Sequence, residues 1–122
     1  MVGKSTLMAS LVKNKTIMFD PVPKHVLWYC QDRSTIPAML LEQDLLSQCF
    51  EGYDGYDNLR SRVMINKDQG GSLVLFDDFL VSKELKNDID KIFYFLAHSS
   101  NTSFVIASQE LYHENKHYRY EV

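Results

Sequence analysis

An apolar run that does not alternate with polar residues most constrains the fold of this chain. Gly70 and Gly71 break the chain, the residues Ser-Leu-Val-Leu-Phe follow at 72–76, and Asp77 and Asp78 come directly after them. A strand with one solvated face alternates apolar and polar side chains, whereas a strand covered on both faces reads as a continuous apolar run. The run therefore predicts a buried strand in a sheet that has helices on both faces.

Two other runs predict strands of the same kind. Residues 25–30 (His-Val-Leu-Trp-Tyr-Cys) follow Pro21 and Pro23, which punctuate a connector. Residues 103–109 (Ser-Phe-Val-Ile-Ala-Ser-Gln) follow the turn-forming pair Asn101-Thr102. Both runs are bounded by polar residues, as short buried strands usually are.

Stretches with apolar residues at helical spacing separate the predicted strands. The resulting order of helices and strands favours an α/β fold with an open, mostly parallel sheet and right-handed crossovers. The predicted helices are one from Lys4 that ends near residues 13–15, one from Pro37 to about Leu46, and one at 83–96, while 48–69 predicts loops with a short strand at 49–50 and a short helix at 58–64.

Composition sets limits on partners and compartment. The chain has 122 residues, of which 45% are apolar, and a formal net charge of -3. The apolar content suits the core of one domain, and no overall basic field attracts nucleic acid or an anionic membrane. The chain has two cysteines, no leader-like segment and no apolar run near the roughly 20 residues of a membrane helix. We therefore expect an intracellular protein that is not secreted, has reduced thiols and has no membrane partner.

The tetrapeptide Gly3-Lys4-Ser5-Thr6 opens the first predicted helix. Amides at a helix start can hold phosphate oxygens, a lysine there can reach the outer phosphates, and a serine hydroxyl can ligate magnesium. An ordinary helix start, capped by Ser5 or Thr6, explains the same residues. The full phosphate-loop pattern also has a glycine five positions before Gly3, and only two residues precede Gly3 here. Taken alone, the tetrapeptide leaves both interpretations open.

Acidic and amide side chains end two of the predicted strands. Asp77 would hold magnesium, directly or through water, as the strand-borne acid of P-loop enzymes does. Asp78 could orient or deprotonate the attacking water, and Gln109 could sense the terminal phosphate. Each residue is separately explained as part of a solvated turn or a polar strand end. Their joint placement with Lys4 at one edge of the sheet, where ligands bind in such folds, favours a site for ATP and Mg²⁺.

Several stretches carry a resemblance to a known family, the FtsK/HerA-type genome-packaging ATPases of double-stranded DNA viruses and Maverick/Polinton elements. The segment at 108–119 is the most distinctive of them. Beside Gly-Lys-Ser-Thr, the similar stretches are Val-Leu-Trp-Tyr-Cys at 26–30, Leu-Val-Leu-Phe-Asp-Asp-Phe-Leu at 73–80, His-Ser-Ser-Asn-Thr-Ser-Phe-Val-Ile at 98–106 and Ser-Gln-Glu-Leu-Tyr-His-Glu-Asn-Lys-His-Tyr-Arg at 108–119.

The resemblance implies a sheet of the P-loop NTPase type with Asp77 on magnesium, Asp78 at the water-activating position and Gln109 as the sensor. It also implies ATP as the cofactor and a homo-oligomeric ring around double-stranded DNA. Arg119 is a candidate contact to a neighbouring subunit's nucleotide or to DNA, and an ordinary solvated charge is the alternative. Related ATPases of the wider class often have glutamate at the position of Asp78.

The family's first strand and the start of its phosphate loop have no counterpart in this sequence, and neither do its strands after Val122. We therefore expect residues 1–122 to be a partial P-loop ATPase domain. We expect them to hydrolyse no ATP by themselves and to be poorly soluble or to self-associate. A longer chain that includes the upstream strand and loop together with the C-terminal strands is expected to be active. The alternative is an inactive, truncated relic of a virus or mobile element.

A second motif points to a different enzyme class. His113-Glu114-Asn115-Lys116-His117 matches H-E-x-x-H, which on a helix places two imidazoles on one face to bind zinc. Such a site needs a third protein ligand, and only residues 118–122 remain downstream. We therefore expect His113 and His117 to bind no zinc, with a zinc hydrolase as the less favoured alternative.

Overall fold

Each apolar run in the sequence forms a strand, and a short fourth strand joins them. The computed structural model describes the backbone of residues 2–77 and 83–106, and the side chains of these ranges from residue 8 onwards. None of the described helices has the length and apolar content to cross a membrane. The helices are α1 (Val2–Lys13), α2 (Lys15–Met18), α3 (Ala38–Glu42), α4 (Tyr56–Ile65), α5 (Lys83–Lys91) and α6 (Ala97–Ser99), with a 3-10 turn at Arg33–Thr35 and a π-helical segment at Ile92–Leu96; the strands are β1 (His25–Cys30), β2 (Gln48–Glu51), β3 (Ser72–Asp77) and β4 (Thr102–Ile106).

The four described strands lie parallel in one sheet in the order β2-β1-β3-β4. β3 pairs with β1 from Ser72 opposite His25 to Asp77 opposite Cys30. Every residue of β3 is buried, as expected for a strand covered on both faces. The prediction of an α/β fold with an open parallel sheet is confirmed.

Side chains of each strand alternate between two apolar layers. On one face, Trp28 and Cys30 pack in a cluster with Met8 of α1, and we call this the α1 face. On the other face, Tyr29 packs in a cluster with Leu59 of α4 and with residues of α5, and we call this the α5 face. The two layers give the sheet the helical cover that parallel strands need.

The direction of α1 follows from where it ends. Lys15, which begins α2 directly after α1, borders a groove with Lys24 and Ser47, the residues just before β1 and β2. Since all strands are parallel, this is the amino edge of the sheet. α1 therefore runs antiparallel to the strands. Its 12 residues span about 18 Å, close to the length of a strand, so its first turn points to the carboxyl edge.

Helix boundaries differ from the sequence predictions in two places. The first helix was predicted from Lys4 but begins at Val2; it ends at Lys13 as expected, and the helix α2 follows almost at once. The second helix was predicted to reach Leu46, whereas α3 ends at Glu42. Asp44 there adopts a left-handed φ of 52°, and the Leu45 amide donates a 3.0 Å hydrogen bond to the Leu40 carbonyl. Such a turn satisfies a terminal carbonyl and stops the helix.

The remaining predicted elements are present with shifted ends. The short strand and helix predicted in 48–69 are β2 and α4, each longer than expected. The helix predicted at 83–96 is formed by α5 and the π-helical segment, and α6 extends it to Ser99. The last predicted strand corresponds to β4, and residues 107–109 lie outside the described ranges.

Candidate functional site

Asp77 is the last residue of β3 and lies opposite Cys30, the last residue of β1. Its side chain is fully buried, with 0% exposed. Alternation along β3 places it on the same side of the sheet as Leu75, which belongs to the α1 face. A buried carboxyl group therefore lies at the carboxyl edge, on the face along which α1 runs.

The thiol of Cys30, which lies opposite Asp77, is buried and uncharged. Burial raises the pKa of Cys30 to about 11, and Asp77 is one of the nearby acidic groups that raise it further, against the opposing effect of Arg33. The Cys30 thiol donates a weak hydrogen bond to the Phe50 carbonyl, with Sγ 3.6 Å from the oxygen. Cys30 thus stays protonated at neutral pH and is not a nucleophile.

The first turn of α1 approaches the same edge of the sheet. Residues 3–6 are helical, and the antiparallel course of α1 carries this turn toward the end of β3 that holds Asp77. The side chains of Lys4, Ser5 and Thr6 are not among those described. Their roles, and that of the Gly3 backbone, remain predictions.

A second cluster at the carboxyl edge was missed by sequence reasoning. Arg62 of α4 forms a two-pronged ion pair with Asp54, which lies in the loop after β2. Its guanidinium also donates a 2.7 Å hydrogen bond to the Tyr29 hydroxyl and lies 4.0 Å from the centroid of the Phe50 ring. The hydrogen bond from Arg62 lowers the pKa of Asp54, while burial raises the pKa of Tyr29 to about 12. The cluster ties β1, β2, the loop and α4 together.

The loop in this cluster has a second anchor. Tyr53 donates a 2.7 Å hydrogen bond to Asp88 of α5, and burial together with this bond raises the pKa of the tyrosine. Gly52 and Gly55 bracket the loop with φ values of 82° and 105°, in the left-handed region that favours glycine. The two glycines were the sequence signal for a loop here, but they did not reveal its anchors.

Several predicted functional residues lie outside the described ranges. They include Asp78, Gln109 and Arg119, and the two histidines of the H-E-x-x-H motif, His113 and His117. Within residues 2–77 and 83–106, no group of three or more histidine, cysteine, aspartate or glutamate residues is arranged to hold a metal ion. The structure therefore locates Asp77 and the backbone of residues 3–6 and leaves the rest of the predicted site as predictions.

Comparison with protein-family models, with curated protein sequences and with solved structures finds no match for this chain.

Proposed function

We propose that this chain forms part of a magnesium-dependent site for ATP binding and hydrolysis at the carboxyl edge of its sheet. The observation that carries the proposal is the position of Asp77. Its buried carboxyl group ends a buried parallel strand on the α1 face. The first turn of α1, which contains Gly-Lys-Ser-Thr, points to that same edge. Loops and helix starts converge at this edge in open α/β sheets, which is why ligands bind there.

The donor groups suit a magnesium nucleotide. Mg²⁺ prefers oxygen ligands and usually takes one or two carboxylates together with phosphate oxygens and water. In our proposal, Ser5 and Asp77 supply the protein oxygens. The amides of residues 3–6 and the ammonium group of Lys4 hold the phosphates. Magnesium would neutralise charge on the phosphates, and Asp78 would orient or deprotonate the attacking water.

The resemblance to genome-packaging ATPases extends this proposal to the whole protein. In that extension, Gln109 senses the terminal phosphate, and hydrolysis drives translocation of double-stranded DNA through a homo-oligomeric ring. Arg119 would contact the nucleotide of a neighbouring subunit or the DNA. Because the net charge of the chain is -3, contacts with DNA would come from local basic groups, since the chain has no general positive field.

The test is magnesium-dependent ATP hydrolysis by the full-length gene product. Lys4→Ala and Asp77→Asn should each lower turnover by at least about 100-fold, because each removes a charge that acts on the phosphates or the metal. Lys13→Ala and Asp68→Asn are matched controls, because Lys13 lies at the opposite end of α1 and Asp68 is exposed beyond α4. Both controls should keep the wild-type rate.

Two results would count against the proposal. If ATP turnover persists in Asp77→Asn, Asp77 is not needed for hydrolysis, and the proposal loses the residue on which it depends. A folded full-length protein that neither binds nor hydrolyses ATP would favour the inactive relic. Circular dichroism and thermal unfolding of each variant separate loss of the site from loss of the fold.

A further inference from the structure

A groove at the amino edge of the sheet brings two lysines together, far from the edge that holds Asp77. Its volume is about 350 Å³, and we call it the amino-edge groove. The groove is formed by the start of α2 and by residues that precede β1 and β2. Its lining residues are Lys15, Lys24, Asp44, Leu45, Leu46 and Ser47.

The ammonium groups of Lys15 and Lys24 have no acidic partner among residues 2–77 and 83–106. Neither lysine side chain makes an ion pair or a hydrogen bond there, and the Asp44 carboxylate pairs with neither of them. Lys15 is half-buried, so water screens its charge less than it screens a fully exposed lysine. Two like charges that border one groove repel each other, and an anion bound between them would remove that repulsion.

The backbone holds Ser47 and Lys24 where they border the groove. The Ser47 hydroxyl accepts a 2.9 Å hydrogen bond from the Val26 amide, and the Ser47 amide donates a 2.8 Å hydrogen bond to the Val26 carbonyl. No group of the described ranges accepts the hydroxyl proton of Ser47, so that proton is available to a ligand. The Lys24 amide donates a 3.3 Å hydrogen bond to the Gly70 carbonyl, and an added Cβ at Gly70 would meet three carbons of the Lys24 side chain. The absence of a side chain at Gly70 therefore makes room for the stem of Lys24.

We propose that the amino-edge groove binds a phosphate group through Lys15, Lys24 and the Ser47 hydroxyl. Lysine binds phosphate as a point charge, and hydrogen bonds between charged groups are stronger than those between neutral ones. Leu45 and Leu46 are half-buried and give the groove an apolar wall against which the rest of a phosphorylated ligand can pack.

The exposed carboxylate of Asp44 limits the affinity. Two lysines and one aspartate leave a single net positive charge in the groove. We therefore expect weak binding, with a dissociation constant on the order of 1 mM for inorganic phosphate. The inference concerns the amino edge alone and does not depend on ATP binding at the carboxyl edge.

A titration of the full-length protein with inorganic phosphate, followed by amide NMR shifts, measures the affinity and locates the site. The amides of Val26 and Ser47 should shift and saturate, and sodium chloride at the same ionic strength should not shift them. Phosphate bound at the proposed nucleotide site would instead shift the amides of residues 3–6, at the opposite edge, so the two sites are measured separately.

Substitution of each lysine tests its part in the site. Lys15→Met and Lys24→Met should each raise the dissociation constant by at least about fivefold, because each removes one of the two positive charges. Lys13→Met is the matched control, because Lys13 ends α1 two residues before Lys15 and does not line the groove. It should leave the dissociation constant nearly unchanged.

A short DNA duplex distinguishes the sources of the phosphate group. If the duplex shifts the same amides and Lys15→Met weakens that response, the groove takes phosphates of a nucleic-acid backbone. If inorganic phosphate alone shifts them, the groove takes a small phosphorylated compound. Both results support a phosphate site.

Three outcomes would overturn the inference. One is the absence of saturating shifts at Val26 and Ser47 up to about 20 mM phosphate, a concentration that would nearly fill a millimolar site. The second is an equal response to chloride, which would show that salt only screens the lysines. The third is equal weakening by Lys13→Met and Lys15→Met. Because the wild-type titration needs no substitution, the inference stays testable even if a lysine variant does not fold.

Discussion

Replacement of Arg62 by leucine tests how the carboxyl edge is held together. The substitution removes a hydrogen bond to the Tyr29 hydroxyl, worth about 1 kcal/mol. It also removes the ion pair with Asp54, worth about 0.5 to 1 kcal/mol because the two side chains are 23% and 43% exposed. The contact with the Phe50 ring adds about 0.5 to 1 kcal/mol, part of which the leucine side chain keeps as apolar contact. We expect Arg62→Leu to lower the free energy of unfolding by about 2 kcal/mol.

Denaturant unfolding followed by fluorescence measures this loss. Trp28 is the only tryptophan of the chain and is fully buried, so its emission reports loss of the core. For a chain of this size, about 2 kcal/mol corresponds to a fall of roughly 8 °C in the thermal midpoint. Arg60→Leu is the matched control, because Arg60 lies on the same helix but is exposed. It should change the free energy of unfolding by less than about 0.5 kcal/mol.

A double-mutant cycle and a pH series separate the parts of this cluster. Arg62→Leu combined with Tyr29→Phe should show a coupling of about 1 kcal/mol, and with Asp54→Asn about 0.5 to 1 kcal/mol. The pKa of Asp54 is lowered in the fold, first by its hydrogen bond to Arg62. The stability from Asp54 is therefore fully present above the unfolded pKa of about 3.9 and is lost as the pH falls through the lower folded pKa. A loss below about 0.5 kcal/mol for Arg62→Leu, or equal losses for Arg60→Leu and Arg62→Leu, would refute this account.

Three further substitutions and titrations test local features of the fold. Gly71→Ala should lower the free energy of unfolding by about 2 to 4 kcal/mol, and Gly52→Ala by only about 1 kcal/mol. Both glycines have left-handed φ values, but only a Cβ added at Gly71 meets the Asn101 carbonyl. Equal thermal midpoints for the two variants would contradict this. The pKa of Tyr29 is raised to about 12, so its contribution to stability is present below about pH 10 and is lost toward pH 12, and Tyr29→Phe should flatten the fall in stability over that range. Cys30, buried and with its pKa raised to about 11, should react with iodoacetamide only as fast as the protein unfolds; faster labelling of the native state would show that the thiol is accessible.

The fold was predictable where one segment carries its own pattern. The unbroken apolar run of β3 and the apolar stripe of the helix after Lys83 each identify an element without reference to the rest of the chain. Helix ends were less predictable, because α3 stops where Asp44 turns left-handed. The left-handed conformation is one of several that an aspartate can adopt, and the sequence around Asp44 does not show which one it takes.

The residues of the candidate site also differ in whether a local sequence pattern reveals them. Asp77 was found because the acid follows its strand directly, so one local pattern gives both the strand and the position of the carboxyl group. Arg62 was not found, because its partners Tyr29, Phe50 and Asp54 come from three other segments of the chain. No periodicity links them, and they meet only once β1, β2 and α4 have packed.

Asp77 and the loop 52–55 are held at the carboxyl edge by different kinds of contact. Asp77 is the last residue of a strand with a strand on either side. Its backbone position is held by its pairing with Cys30 of β1, and the described pairing of β3 with β4 ends one residue earlier, at Phe76. The loop 52–55 follows the edge strand β2. The Gly52 amide donates a 2.9 Å hydrogen bond to the Cys30 carbonyl, and beyond Gly52 the side-chain bonds of Asp54 and Tyr53 hold the loop in place. Arg62→Leu removes the bonds of Asp54 and keeps the hydrogen bond of Tyr53 to Asp88, so it should loosen the loop while leaving β3 paired. Arg62→Leu should therefore raise hydrogen exchange at 52–55 far more than at 72–77, and an equal rise in both would show that the whole sheet depends on the cluster.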